Sequence, residues 1–331
     1  MNVAVVGMGK MGILHASILG GLRDVRVAAV CEKKRIVRRF AKKALPGVRV
    51  VENLSDLEGM GIDAVYVATL PGSHHAVVRE IYSRNIARNV FVEKSLAVSH
   101  AQAAEMCRWA EDHGGVTMVG FQKRFGVTFM KAKEILDGGG VGDVKAFEAY
   151  AYSSDFVDGA DTKQSVSRGG VLRDSGCHAI DLAFWYFDDI ELAPVDGPTT
   201  LNGDASASNL PPDFTSATVT TPNGAEGRFN VSAQVPGYRL PEIGMTIVGA
   251  DGRISVNEDR IELVTGDGAQ QRWHRHDLQD SEVPFLLGEP EYARENVAFV
   301  RAVIEDQTTG ADFEAGRRVE RMIDQIVGSQ R

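Results

Sequence analysis

The residues Gly7-Met8-Gly9-Lys10-Met11-Gly12 follow a short apolar run, Asn2–Val6, and precede a helical stretch over 13–19. A GxGxxG pattern between a strand and a helix is suited to holding a dinucleotide. Gly7 permits the tight turn, Gly9 lets the backbone approach a pyrophosphate, and Gly12 lets the helix pack close to the strand. The helix N-terminus then offers unpaired N–H groups to the phosphates. A second apolar run, Val25–Cys31, ends at Glu32, about 20 residues beyond the last glycine, where an acid binds ribose hydroxyls. A carboxylate there favours NAD. Lys33, Lys34 and Arg35 follow at once, and such cations can accommodate NADP.

Two further groups are suited to acid–base work. Lys94 follows the apolar run Asn89–Val92. A cation at a strand end beside a nicotinamide can bind its ribose and stabilise a developing alkoxide; the alternative is a surface lysine. The stretch GGVLRDSGCHAIDL, residues 169–182, sets His178 between Asp174 and Asp181. On a helix these three fall within about 60° of one another. Ile180, Phe184 and Phe187 fall on a separate arc that faces a core. A histidine so flanked is arranged for proton transfer, one carboxylate fixing its tautomer. Gly176 makes this register conditional.

These residues need elements to position them. Runs at 48–51, 64–68, 90–92 and 116–119 read as strands, with helical stretches near 73–83 and 99–113. Alternation of this kind implies a doubly wound parallel sheet, a Rossmann domain, over 1–122. Ligands bind beyond the strand C-terminal ends. Thr69-Leu70-Pro71, Glu93-Lys94-Ser95 and Gly120–Phe125, with Gln122, stand at those ends and are expected around the cofactor. Of the adjacent His74 and His75, one is expected near the cofactor and one at the surface.

After Arg124 the alternation stops. Residues 127–136 read as a helix and 144–152 as an alternating strand. Strand-like runs then follow in succession from about 213. A second α/β domain over 123–331, with a large, mostly antiparallel open sheet, is expected. Two helices close the chain. In the first, Ala293, Val297, Val300 and Ile304 form an apolar face, read as core without chemistry.

Composition sets bounds. The chain has 331 residues, enough for two domains at roughly 100–200 residues each. Lys and Arg total 36 against 45 Asp and Glu, a net charge of −9, which argues against nucleic acid as a partner. Three cysteines without a CxxC exclude a disulfide scaffold and fit a reducing compartment. His274 and His276 read as an exposed strand, so no metal site is expected. There is no run of 18 apolar residues and no signal-peptide pattern, so a cytoplasmic protein without membrane contact is expected.

The sequence resembles the glucose–fructose oxidoreductase/inositol dehydrogenase/rhizopine catabolism family of NAD(P)-dependent oxidoreductases over essentially its whole length. The resemblance is carried by GMGKMGILHA at 7–16, VFVEKSLA at 90–97, GFQKRF at 120–125, GGVLRDSGCHAIDL at 169–182 and the last two helices. It implies a hydride transfer between nicotinamide and a secondary alcohol or ketone of a sugar, sugar derivative or inositol. Lys94 would contact substrate and nicotinamide ribose, Asp174 would bind substrate hydroxyls, and His178 would exchange the proton. It also implies a homodimer or homotetramer. Ser95 stands where the family has proline, often after a cis peptide bond, so both isomers are open at Lys94-Ser95. Arg124, Asp155 and Arg168 lie in segments expected to border the substrate. The two arginines fit an anionic substrate, or ion pairs with Asp155 or Asp161. Two other functions are carried alongside: an NAD(P)-sensing regulatory protein without catalysis, and an NAD-dependent glycosidase.

Overall fold

A computed structural model describes residues 1–154, 170–193, 214–238, 240–279 and 289–329. The chain divides into two units, Met1–Gln122 with Val283–Glu320, and Lys123–Glu282 with Arg321–Arg331.

The first unit is built on six parallel strands in the order β3-β2-β1-β4-β5-β6. They are β1 (Asn2–Val6), β2 (Arg26–Cys31), β3 (Arg49–Val51), β4 (Ala64–Val67), β5 (Asn89–Val92) and β6 (Thr117–Val119). β4 and β5 are buried along their whole length, as a sheet covered on both faces requires. The crossover helices are α1 (Lys10–Gly20), α2 (Arg35–Ala44), α3 (Pro71–Ser83) and α4 (His100–His113). Pro71 starts α3, where its missing N–H costs nothing. Ser99 caps α4 by accepting from the Gln102 N–H at 3.3 Å. Strand order reverses between β1 and β4, so the strand ends at 7–12, 32 and 69–70 border the switch point where such sheets bind ligands.

The second unit carries an eight-stranded sheet in the order β14-β13-β12-β11-β7-β10-β9-β8. Every pairing is antiparallel except β10 with β7. The strands are β7 (Val144–Tyr152), β8 (Glu191–Leu192), β9 (Thr215–Thr220), β10 (Glu226–Ser232), β11 (Glu242–Gly249), β12 (Gly252–Asn257), β13 (Arg260–Thr265) and β14 (Gln270–His274). Along β7, Phe147, Ala149 and Ala151 are buried, while Glu148, Tyr150 and Tyr152 between them are not. This period of two is that of a sheet covered on one face only. α5 (Val127–Asp137) packs on β12 and β13, and α6 (Cys177–Phe187) packs on β7 and β11. The Phe147 ring stacks on Phe187 at 4.6 Å. It occupies the space that a side chain at Gly227 would need.

The C-terminal part departs from the expected division at 122/123. Residues 283–320 cluster with the first unit rather than the second. The reason lies at the edge of the parallel sheet. Val119 donates its N–H to the Ala311 carbonyl at 2.7 Å, and Thr309 Oγ1 donates to the Thr117 carbonyl at 2.7 Å. Backbone groups that β6 would otherwise expose are thereby paired. α7 (Pro290–Glu305) packs Phe299 edge-on against Tyr66 and Phe91, at 5.3 and 5.7 Å. α8 (Phe313–Ser329) begins in the first unit and ends in the second.

The expected core face of α7 is corrected in part: Val300 is buried and Ala293 half-buried. Val297 and Ile304 are exposed, at 46% and 57%, and the buried residues are Glu291, Glu295, Asn296, Phe299, Val300 and Ala302. Apolar spacing misread this helix because its inner face carries polar groups, of which Asn296 pairs with His15 of α1.

Candidate functional site

The chain leaves β1 at Gly7, whose φ of 90° lies in the left-handed region. A Cβ on Gly7 would stand 2.8 Å from the Ala68 carbonyl oxygen, and one on Gly12 only 1.8 Å from the Gly7 carbonyl oxygen. A side chain at 12 therefore cannot enter without moving α1 off the turn. Gly9 differs: a Cβ there meets nothing within 4 Å. The start of α1, with its unpaired N–H groups, thus faces open space, the cradle a pyrophosphate needs. Lys10 is exposed and Met11 half-buried, while the Met8 side chain is buried.

Glu32 stands over this turn. Its carboxylate accepts from the Met8 N–H at 2.9 Å and the Lys34 N–H at 2.7 Å. Arg38 braces the same corner, donating to the Glu32 carbonyl at 2.9 Å and to Glu52 at 2.7 Å. Lys33, Lys34 and Arg35 are exposed. A carboxylate beside the glycine turn is suited to two ribose hydroxyls.

The other strand ends follow. After β4, Thr69 is half-buried and accepts from Ser73 Oγ at 2.8 Å, and Leu70 is 63% exposed. His74 is fully buried. Its Nδ1 lies 2.8 Å from the Ser95 carbonyl and its Nε2 lies 3.0 Å from the Thr69 carbonyl. Burial pushes its pKa below the ordinary histidine value, against the pull of those carbonyls. The ring lies between two strand-end segments, and in its neutral form its single N–H donates to one of the two carbonyls. His75 is half-buried against Glu105 at 2.6 Å.

After β5 come Glu93, buried, and Lys94, half-buried. The Lys94-Ser95 peptide bond is cis, which settles the isomer left open by the sequence. Gln122 is buried and donates to the Tyr292 hydroxyl at 3.2 Å.

In the second unit, residues Leu172–Gly176 form one π-helical turn that leads into α6. Such turns add a residue to the helix and re-aim side chains. At the end of this one Gly176 packs closely on β10, where a Cβ would stand 3.2 Å from a Val231 methyl. Asp174 is half-buried and its N–H bonds the Gly170 carbonyl at 2.9 Å. His178 is buried at 4% exposure, on the first turn of α6.

Asp181 lies three residues beyond His178 on the same helix, α6. It is fully buried and holds the Arg124 guanidinium with both oxygens, at 2.8 Å to Nε and 2.5 Å to Nη2. Arg124 is itself buried. The pair ties the segment after β6 to α6, so both residues have a structural task. Next to it, Lys123 pairs with Glu258 at 3.1 Å; burial raises the Glu258 pKa, and Lys123 opposes that. Arg173 pairs with Asp324 of α8. Asp155, Asp161 and Arg168 lie outside the described residues. His274 and His276 lie at the end of β14 and the start of a short helix, Arg275–Leu278, rather than on one strand. Among the described residues no cluster could hold a metal ion.

Sequence comparison decides the family. Residues 1–121 match the model of an oxidoreductase family with an NAD-binding Rossmann fold, and residues 129–255 match the GFO/IDH/MocA C-terminal domain. The chain belongs to this family. Its first unit is an NAD-binding Rossmann domain, and the glycine turn, the open space at Gly9 and the Glu32 carboxylate fit that cofactor. The chain is 25% identical over 313 residues to an inositol 2-dehydrogenase of Rhizobium meliloti, covering 92% of this chain and 88% of the relative. It is 26% identical over 276 residues to a myo-inositol 2-dehydrogenase of Thermotoga maritima, with 81% and 79% covered. A levoglucosan dehydrogenase, solved with NADH and levoglucosan, has the same fold at a TM-score of 0.80 and 20% identity, with 100% of this chain and 97% of that one covered. Among the described residues no helix is long and apolar enough to cross a membrane.

Two polar residues of the first unit escaped the sequence reading: His15 and Asn296, both fully buried. His15 follows the glycine turn on the inner side of α1, and Asn296 lies on the misread face of α7. The signal present was weak: polar residues at 291, 295 and 296 recur at helical spacing.

Proposed function

We propose that the protein is an NAD-dependent dehydrogenase of a cyclic polyol or sugar, oxidising a secondary alcohol to a ketone or running the reverse reduction. The observation that carries this reading is the retention of Lys94 at the end of β5 in an NAD-binding domain, together with Asp174 and His178 at the π-turn that opens α6. The inositol and levoglucosan dehydrogenases to which the chain is similar support the substrate class.

NAD supplies the hydride acceptor. In the oxidative direction His178 takes the hydroxyl proton as the carbon gives up its hydride; in the reductive direction it returns that proton. Lys94 stabilises the negative charge that develops on the oxygen. Asp174 accepts a hydrogen bond from a neighbouring hydroxyl and orients the ring. The Glu32 carboxylate favours NAD, because a 2′-phosphate there would meet a negative charge.

The test is a panel of inositols and aldoses, assayed with NAD and NADP side by side. Cofactor reduction by at least one member, faster with NAD, is expected. Cofactor binding without reduction identifies a sensor. Sugar release from a glycoside without net reduction identifies a glycosidase. Either result overturns the reading. The protein is further proposed to act in the cytoplasm. The buried Cys31 and Cys107 thiols are pushed up to about 12, which suits unreactive thiols in a reducing compartment. A homodimer or homotetramer through the half-exposed face of the second unit's sheet is proposed, and light scattering in solution tests it.

A further inference from the structure

We infer that His15 and Asn296 are positioning residues for Lys94, acting through the Glu93 carboxylate. The inference rests on the reading that Lys94 acts on the reacting oxygen, and all the groups involved lie in the first unit.

The geometry forms one buried chain. Asn296 Nδ2 donates to the Tyr292 carbonyl at 2.7 Å, which fixes the amide on α7. The same amide lies against His15 Nδ1, at 2.9 Å from Nδ2 and 3.1 Å from Oδ1. His15 Nε2 lies 2.7 Å from Glu93 Oε1, and the other Glu93 oxygen accepts from the Lys94 N–H at 3.2 Å. A carboxylate accepts only, so the short contact to Glu93 places a proton on Nε2. His15 is fully buried, with its ring 5.4 Å from Tyr66 and 5.0 Å from Phe91. The two aromatic rings pack the imidazole closely, and Asn296 orients it within that space so that Nε2 faces Glu93.

A buried carboxylate without partners would neutralise or seek water. Here its oxygens are committed to His15 on one side and to the Lys94 backbone on the other. Glu93 therefore fixes the chain where Lys94 begins. On the far side of Lys94, His74 Nδ1 holds the Ser95 carbonyl at 2.8 Å. Residues 93 and 95 are each tied to a buried histidine from a different helix, and the lysine between them has little backbone freedom. Pre-ordering of this kind lowers the cost of aligning a cation with developing charge. It is a role for α1 beyond the cofactor turn, and for α7 beyond packing.

The experiment compares full-length His15→Leu and His15→Gln with the unsubstituted protein, using NAD and myo-inositol. Leucine removes the donor to Glu93, whereas glutamine can place an amide N–H near the position of Nε2. His15→Leu is expected to lower kcat by about tenfold or more while the NAD dissociation constant moves by less than about twofold, with His15→Gln recovering most of the loss. Equal loss in both variants, or a fall in NAD affinity that matches the fall in kcat, overturns the inference.

A second readout does not depend on turnover. Lysines are reductively methylated with ¹³C-formaldehyde, and the Lys94 signal is assigned by its absence in Lys94→Arg. That signal should shift in His15→Leu and return in His15→Gln; an unmoved signal overturns the inference. It separates the two proposals. If no polyol is turned over, the dehydrogenase reading fails, and the Lys94 signal still decides whether His15 positions the residue. Should His15→Leu fail to fold, Asn296→Ala carries the same readouts, since it leaves the donor to Glu93 in place but frees the ring it orients.

Discussion

Lys94 in the first unit and His178 in the second are anchored by different means. Around Lys94 the fixing groups are hydrogen bonds to the residues on either side of it, from His15 through Glu93 and from His74 to the Ser95 carbonyl. Around His178 the fixing also acts on the element that carries it. The helix that carries it is held by the buried Arg124–Asp181 pair one turn further on, and by Gly176 packed against Val231. A strand end has little rigidity of its own and needs local bonds to hold one residue. A helix is already rigid, so holding it at one point places everything on it. The first unit holds its lysine through bonds to the residues on either side, and the second also holds the helix on which its histidine sits.

The comparison can be broken at its chemical end first. His178→Ala should lower kcat by roughly 10²–10⁴-fold, the usual worth of general acid–base catalysis, with NAD binding preserved because the cofactor turn lies in the other unit. Fluorescence titration of NADH beside steady-state turnover checks this. Turnover within about threefold of normal would remove His178 from the mechanism.

The anchoring of the helix comes next. Asp181→Asn takes the buried carboxylate away from the Arg124 guanidinium. Breaking a buried pair in this way costs about 3–5 kcal/mol. A large drop in the thermal midpoint is expected, with loss of turnover following loss of fold. If stability holds and only activity falls, the pair is an active-site device rather than an anchor.

The smallest effect concerns His74. Its folded-state pKa lies below the ordinary 6.5, so the unfolded chain binds the proton more readily. The stability this contributes is full above pH 6.5 and is lost as pH falls through 6.5 toward the folded value. Urea midpoints measured from pH 7.5 down to 5 should therefore decline, and His74→Gln should decline less steeply. Parallel curves would mean that other groups set the acid limb.

Much of this was legible in the chain. The period-two and period-3.6 patterns located the six strands of the first sheet and those of the second except the two-residue β8. The glycines at 7 and 12 were legible because only one residue type tolerates a φ of 90° or a carbonyl at 1.8 Å from its Cβ position. Less legible was the face of α7. A rule that counts apolar residues fails where the inner face carries Glu291, Glu295 and Asn296. The burial of His74 between the Thr69 and Ser95 carbonyls was not legible. The partnership of Asp181 with Arg124 was not legible either.

Local chemistry and spacing determined by themselves the dinucleotide turn, the acid that follows it, the change of architecture near residue 122, and the short list of residues able to move a proton. These follow from covalent geometry and from periodicity, which act over a few residues and are written in order along the chain. Tertiary structure alone decided which charged groups are consumed by partners. Arg124 finds Asp181 57 residues away, and His15 finds Asn296 281 residues away. A buried polar group must be paired, but any of several distant residues can satisfy it, and only packing selects which one does.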